Sequence, residues 1–406
     1  MILREMKNNI NDDKSLRSCT SCGICASVCS ADAIDMQYDS EGFFRPVVNE
    51  MKCVKCGLCK KSCYKFDKEL KVDDTIHECY AAWNKDANQL VKSSSGGISR
   101  LLMEECISRG YKVFGCAYDY ASNAAKSVVV ATVDELDQFY GSKYFQSYTT
   151  EAFIEILKDS TEQKYAIFAT PCQIYAFSQT NRYKRYPERY FLVDIFCHGC
   201  PSVKLWDIYR EYKEKQAGVN GFDSIAFRSK TYGWHEYSID FKTPIANVSS
   251  KKINDPFFDL FFGGDVMNMA CYDCLARSTM AYADIRIGDY WGTRYEMNIK
   301  GVSAVIIRSE LGKEISSSIS EKMTVEPAEF DNIIAAQSYG KVIKFSEQRR
   351  NYLLHALAEE SDVIKIAAKY RAMLPLKRRV KLFLKSLVKR LPGRMSFRIR
   401  KILHSI

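Results

Sequence analysis

Sixteen cysteines in 406 residues are the side chains best able to do chemistry in this sequence. CTSCGICASVC at 19–29 and CVKCGLCKKSC at 53–63 repeat one pattern at an offset of 34 residues. In C-x2-C-x2-C, consecutive turns aim every third thiolate inward and wrap one corner of an iron–sulfur cubane; one more cysteine after three residues completes a set of four. A further stretch, DIFCHGCPS at 194–202, sets Cys197 and Cys200 on either side of a His-Gly pair. Those thiols could form a redox disulfide, bind metal or simply pack. A c-type haem is excluded, because its histidine follows the second cysteine directly and Pro201 stands there. The opening MILREMKNNINDDKS has no apolar core or cleavage site, so a cytoplasmic location is expected, where thiols stay reduced. Metal or redox chemistry is then the default reading.

Such thiols need elements that position them. Between the repeats, DMQYDSEGFFRPVV alternates and turns at Glu41-Gly42, which predicts a β-hairpin. HECYAAW and KVFGCAY read as strands flanking a helix that starts at SSSGG and carries Ile98, Leu101 and Leu102 on one face. SVVVATV, KYAIFA, YFLVDIF, IAFRS, EYSIDF, ADIRIGDYWG and VSAVIIRS read as further strands. A helix is expected at about 150–159, and another, capped by Ser202, bears Leu205, Trp206 and Tyr209. Repeated strand-to-loop-to-helix transitions favour a mostly parallel or mixed sheet covered by helices. Cys172 follows KYAIFA much as Cys197 follows YFLVDIF, so adjacent parallel strands would carry both thiols to one sheet edge. Cys271 and Cys274 form another C-x2-C ahead of ADIRIGDYWG. Four thiolates converging there would suit a third [4Fe-4S] centre; zinc, or a metal-free set, reads the same way at this level. Cys79, Cys106 and Cys116 lie on apolar faces as packing residues.

Hydrophobic residues at 47 % and aromatics at 13 % indicate a globular chain long enough for two or three domains. The formal charge of +10 misleads, because residues 365–406 hold fourteen Lys and Arg and no Asp or Glu. The first 364 residues carry about −4, which excludes a nucleic-acid-binding balance. No apolar run reaches the roughly 18 residues of a membrane span. No GxGxxG follows a strand, so a nicotinamide site is unsupported.

The doubled cysteine motif resembles a bacterial two-cluster ferredoxin, in which the fourth cysteine of each motif crosses to the other cluster. That resemblance implies Cys19, Cys22, Cys25 and Cys63 around one [4Fe-4S] centre, and Cys53, Cys56, Cys59 and Cys29 around the other. Ser30 and Tyr64 replace the proline usual after the fourth cysteine. Zinc in a four-cysteine site is the alternative. Further along, SSSGG at 93–97, GSKYFQS at 141–147, ATPCQIYA at 169–176, DIFCHGCPS, FRSKTYGW at 227–234, and CYDC followed by ADIRIGDYWG resemble, in this order, the coenzyme F420 hydrogenase/dehydrogenase beta-subunit family. The ordered set covers about residues 77–330. It implies a flavin-containing iron–sulfur module in which FAD exchanges a hydride with a substrate and single electrons with clusters. It also points to Cys172, Cys197, Cys271 and Cys274 as ligands of the third cluster, with Cys200 spare, since the family's CHG is followed by an apolar residue. Substrate does not follow from family.

Ser95, Gly96 and Gly97 at a helix start would offer backbone amides to a flavin pyrophosphate, although an ordinary serine-capped turn has the same sequence. Lys143, with Tyr144 and Gln146 in the same motif, is a candidate flavin contact, a solvated surface lysine being the alternative. Arg228, Lys230 and Trp234 combine cations with an aromatic face suited to an anionic ring compound. His198 could relay a proton. The candidate catalytic residues are therefore His198, Lys143 and Arg228. The expected fold mixes α+β and α/β. It places a two-[4Fe-4S] ferredoxin-type domain at 1–70, the first part of an α/β flavin-binding domain with a mixed sheet at 77–160, its second part at 161–345, and a basic helical tail at 346–406. LKRRVKLFLKSLVKR at 376–390 gathers Leu376, Val380, Phe383, Leu384, Leu387 and Val388 on one helical face among basic residues, an arrangement expected on an anionic membrane surface. The expected function is electron passage between ferredoxin, or another one-electron redox protein, and a small organic substrate. The alternative is an electron-transfer subunit serving a separate catalytic partner, for instance in surface-polysaccharide synthesis.

Overall fold

The computed structural model describes residues 8–12, 18–66, 75–253 and 255–388. The hairpin forms as expected from β1 (Ile34–Tyr38) and β2 (Phe44–Val48), paired antiparallel. Its neighbours are two single-turn helices, Ile24–Ser27 and Leu58–Lys61, and they preserve the 34-residue repeat in the backbone. Gly23 and Gly57 are both left-handed at the helix starts, and so are Ser21 and Lys55 two residues earlier. Each motif thus reverses the chain twice within a few residues, wrapping it around its thiols.

The body is built on one nine-stranded sheet. Its strands are β3 (Glu78–Asn84), β4 (Tyr111–Asp119), β5 (Ala124–Val130), β6 (Ser147–Tyr148), β7 (Lys164–Phe168), β8 (Tyr190–Ile195), β12 (Ile285–Asp289), β13 (Ser303–Ile307) and β14 (Met323–Pro327), in the order β14-β3-β13-β12-β8-β7-β4-β5-β6. The middle, β4-β7-β8-β12, is parallel, and antiparallel pairs flank it on both sides. Near-continuous apolar runs such as YFLVDI and SAVII follow from burial on both faces. One face packs on the helix Ile98–Ser108 through Leu101, Leu102 and Cys106, the other on Thr150–Lys158 and Pro171–Ser178 through Phe153, Ile174 and Phe177. The sheet draws on residues both before and after 160, so the two expected parts of the domain form one layer.

A second, three-stranded sheet, β9 (Ser224–Ser229), β10 (Ser238–Lys242) and β11 (Asn247–Lys251), covers a core that includes Trp206, Phe241 and Phe257. The stretch expected as a tail from residue 346 divides. Helices Glu347–Glu359 and Val363–Ala372 bury Leu353, Leu357, Ile366 and Tyr370 in that same core, because their apolar stripes match it, whereas Leu376–Val388 keeps Leu376, Val380, Leu384 and Leu387 exposed. Residues 389–406 lie outside the described residues. Among the described residues no helix is long and apolar enough to cross a membrane.

Candidate functional site

In the N-terminal module the cysteines sort across the repeats. Burial and the neighbouring charges of Cys63 and Cys19 push the Cys22 thiol up to about 12, and burial beside Cys19, Cys22, Cys63 and, last, Cys59 raises Cys25 well above the ordinary thiol range. Cys63 therefore sits with the first motif. Cys29 is correspondingly a neighbour of Cys59, and Cys29, Cys53, Cys56 and Cys59 together line one small cavity, partly open to solvent. Among the described residues no three His, Cys, Asp or Glu side chains close to single-ion geometry. Donors reach the sulfurs from the turns: Ser21 N to Cys19 Sγ at 3.4 Å, Ala33 N to Cys29 Sγ at 3.3 Å, and Asn9 Nδ2 to Cys53 Sγ at 3.6 Å. Such donors stabilise thiolate over thiol and tune a cluster.

The module is bolted to the body at the first set. Thr149 Oγ1 donates to Cys22 O at 2.8 Å, Asn268 Nδ2 to Cys19 O at 3.1 Å, and Phe44 N to Gln146 Oε1 at 2.9 Å. Gln146 thus holds the hairpin.

A further group of thiols forms where β7 and β8 end, beside the loop that precedes β12. Cys172 stands in the first turn of the helix Pro171–Ser178, started by a Thr170/Gln173 capping box with Pro171 at its head. Thr170 Oγ1 lies 3.3 Å from its sulfur. Cys197 follows β8 directly. Cys271 and Cys274 come from short turns before β12, whose loop is zipped to residues 197–202 by Asn268 N to Cys200 O at 2.8 Å and by a Pro201–Met267 bridge. Cys172 is raised by burial and by Cys274 and Cys197, and Cys271, at about 12, by burial and by Cys197 and Cys274. Cys200 joins them, raised by burial and by Cys271, Cys197 and Cys172. Five thiols therefore converge. The amides of Gly199 and Cys200 donate to the sulfurs of Cys197 and Cys271. Positive charge surrounds the group: Arg277, buried, donates to Cys271 O at 2.6 Å, and Arg286 is buried against Asp194 through contacts of 2.6 and 2.5 Å.

Tyr64, read in the sequence only as a missing proline, lies between the two regions. Its ring is buried beside Cys172, Cys274 and Cys22, and it stacks on Tyr175 (4.5 Å), which stacks on Tyr282 (4.1 Å).

On the other side of Cys197 is a pocket of about 200 Å³, partly open to solvent, lined among others by Ser94, Ser95, Gly97, Phe196, Asp289 and Trp291. This is the edge of an open α/β sheet where ligands bind. Gly97, left-handed, starts the helix Ile98–Ser108 facing it. Gly96 serves packing instead: a Cβ there would stand 2.3 Å from Ala82 O, and its amide donates to Ser303 Oγ at 2.9 Å. Ser95 Oγ donates to Val302 O at 2.8 Å.

The cations singled out in the sequence are spent internally. Lys143 Nζ donates to the carbonyls of Cys116, Gln138 and Tyr140 at 2.9–3.0 Å, and burial lowers its pKa to about 8. It pins its loop and does not line the pocket. Arg228 makes a two-pronged pair with Asp289 at 3.1 and 3.0 Å and reaches Tyr144 Oη at 3.1 Å, while Trp234, fully buried, donates to Asp289 at 2.6 Å. Lys230 caps the carbonyls of Leu90, Ser95 and Lys300. The docking set is therefore a buried brace for Asp289, whose importance sequence reading missed although GDYWG displayed it. His198 is exposed on one side and packs against Phe261 and Phe262 on the other; partial burial with Arg277 and Lys252 nearby holds its pKa down.

Residues 18–65 match the family model described as 4Fe-4S dicluster domain, which makes this an iron–sulfur protein of the electron-transfer class. Residues 162–332 match the family model for the C terminus of the coenzyme F420 hydrogenase/dehydrogenase beta subunit. Residues 162–332 are thus similar to the C-terminal part of that beta-subunit family, and a dicluster domain stands on their N-terminal side. A similar solved chain comes from a structure titled as the xenon derivatization of the F420-reducing [NiFe] hydrogenase complex from Methanosarcina barkeri. It is 20% identical, covers 75% of this chain and 94% of its own, and has a TM-score of 0.46. No curated protein matches.

Proposed function

We propose that the chain is a flavo-iron–sulfur oxidoreductase that moves electrons between a one-electron protein donor, such as ferredoxin, and an organic substrate. Three [4Fe-4S] sites are proposed: Cys19, Cys22, Cys25 and Cys63; Cys29, Cys53, Cys56 and Cys59; and Cys172, Cys197, Cys271 and Cys274. The observation that carries the reading is the central thiol group, which adjoins the first set across Tyr64 on one side and the pocket through Phe196–Cys197 on the other. The pocket's aromatic lining and its place at the sheet edge suit a flavin ring, with the first-turn amides of Ile98–Ser108 and the Ser94–Ser95 loop at a phosphate. FAD bound there would supply the exchange between single electrons and a hydride. The chain's own contribution is positional. The Arg228–Asp289–Trp234 brace fixes the pocket wall, Phe196 and Trp291 screen it from water, and Arg277 and Arg286 offset negative charge collecting at the central thiols.

The rival reading is a subunit that delivers electrons to a separate catalytic protein, as the words beta subunit in the family description would allow. Anaerobic purification with iron, sulfide and flavin analysis tests the proposal, followed by turnover with reduced methyl viologen in the absence of other proteins. About twelve irons and bound flavin are expected. Viologen-driven bleaching of bound flavin supports the enzyme; absence of flavin overturns it. Peripheral contact of Leu376–Val388 with an anionic membrane is part of the proposal. Its exposed apolar residues share a helix with Lys377, Arg378, Arg379 and Lys381 and no acidic residue. Flotation with phosphatidylglycerol vesicles tests it, and equal recovery of full-length protein and Leu384→Glu/Leu387→Glu would refute it.

A further inference from the structure

We infer that the second thiol set is the electron port of the molecule, and that an acidic electron-carrier protein docks over it on the face around Met51 and Val54. This rests on the cluster reading proposed above and adds direction and a partner surface to it.

The three thiol sets are not equivalent in reach. The first is enclosed between the body and Tyr64, with Cys22 beside the same ring that neighbours Cys172 and Cys274. The central set lies at the end of the buried strands. The second set alone turns outward: Cys56 is the exposed member among all the cysteines proposed as ligands. Around it Met51 is 96 % and Val54 69 % exposed. Lys52, Lys55, Lys61 and Lys65 are exposed as well, and no Asp or Glu occurs from residue 51 to 65. The nearest carboxylate in sequence, Glu50, is engaged by the amides of Asn9 and Asn11 at 3.3 Å each. Scattered exposed apolar residues are ordinary. Here they share one stretch of chain with the one exposed thiol of a proposed relay and four exposed lysines, the composition of a transient docking face with apolar centre and charged rim.

Charge complementarity selects the partner, because a lysine rim accelerates encounter with an acidic protein and rejects a basic one. In each encounter the carrier's centre loses one electron and the second cluster gains it. No bond is made or broken and no proton moves. The electron then passes inward to the first set and, across Tyr64, to the central set.

The test uses full-length, anaerobically reconstituted protein and stopped-flow absorbance, with a reduced acidic plant-type ferredoxin as probe. Reduced methyl viologen, a small cation that needs no docking face, is the control. Lys52→Glu/Lys61→Glu should lower the second-order rate constant with ferredoxin about tenfold at low salt. The difference should fade as ionic strength rises, viologen, as a cation, should reduce every cluster at least as fast as in wild type, and iron content should be unchanged. Lys52→Gln/Lys61→Gln should show the same effect at smaller size and guards against a folding defect in the charge reversal. Equal ferredoxin rates in wild type and both variants, with viologen still reducing every cluster, would overturn the port alone. Wild-type protein whose clusters viologen cannot reduce would overturn the cluster reading and the port with it.

Discussion

The N-terminal module and the central thiol group solve one problem, gathering soft ligands, by opposite means. In the module the ligands come from two short stretches of chain, and the regular structure around them is a hairpin and two single-turn helices. Little apolar mass is available, and two of the seven buried residues of its core are cysteines, Cys25 and Cys59. At the sheet edge the thiols come from three distant stretches, brought together because β7 and β8 are parallel neighbours that end side by side and the loop before β12 is zipped to residues 197–202. On the proposed ligand sets, the first site would depend on its metal for its fold, and the second is held by a core that exists without one.

The largest effect to expect is therefore on folding. Stripping iron anaerobically with a strong chelator should leave residues 18–66 open to limited proteolysis while the nine-stranded sheet keeps its circular dichroism; a module that stays protease-resistant would erase the distinction. Next in size, Cys197→Ser should cut iron from about twelve to about eight per chain, whereas Cys200→Ser should cut none. An intact count near eight that Cys197→Ser leaves unchanged would remove the central site from the comparison. A third test sharpens the claim that the sheet edge is self-supporting. Asp194→Asn would leave Arg286 buried and unpaired, a loss of about 3–5 kcal/mol in urea unfolding, without touching iron in the module. Smallest is an electrostatic shift. Lys60→Gln/Lys61→Gln should lower the midpoint of the second cluster in a redox titration followed by electron paramagnetic resonance, since positive charge favours the reduced state and solvent screens most of it. Two unchanged midpoints would mean the lysines serve docking only.

The same contrast explains what could be read from sequence. The module was legible because its chemistry is local: a 34-residue offset, four cysteines twice, one turn at Gly42. Strands such as YFLVDI and SAVII announced themselves by apolar runs. By contrast NVSSK and MTVEP, the strands β11 and β14, are polar edge strands with little signal. Convergence of Cys172 with Cys197 followed from adjacent strand ends, but the roles of Lys143 and Arg228 did not. A cation's partner can be a carbonyl three residues away or a carboxylate sixty-one residues away, and nothing local distinguishes either from an open pocket. Tyr64 was visible as a departure from a motif. Its meaning depended on Cys172 and Cys274, more than a hundred residues downstream.

The crossing of Cys63 to the first motif and of Cys29 to the second also sets a timetable for biosynthesis. On the proposed ligand sets, no cluster can be closed by either motif alone, so an emerging chain holds incomplete, reactive thiol triads until residue 63 has left the ribosome. Both inner and outer clusters then become fillable within a few residues of each other, while the central one must wait for Cys274. On those sets iron delivery would divide into an early pair and a late single event, and a ribosome stalled after residue 63 has emerged but before Cys274 has would display two of the three sites with nothing yet to deliver electrons to.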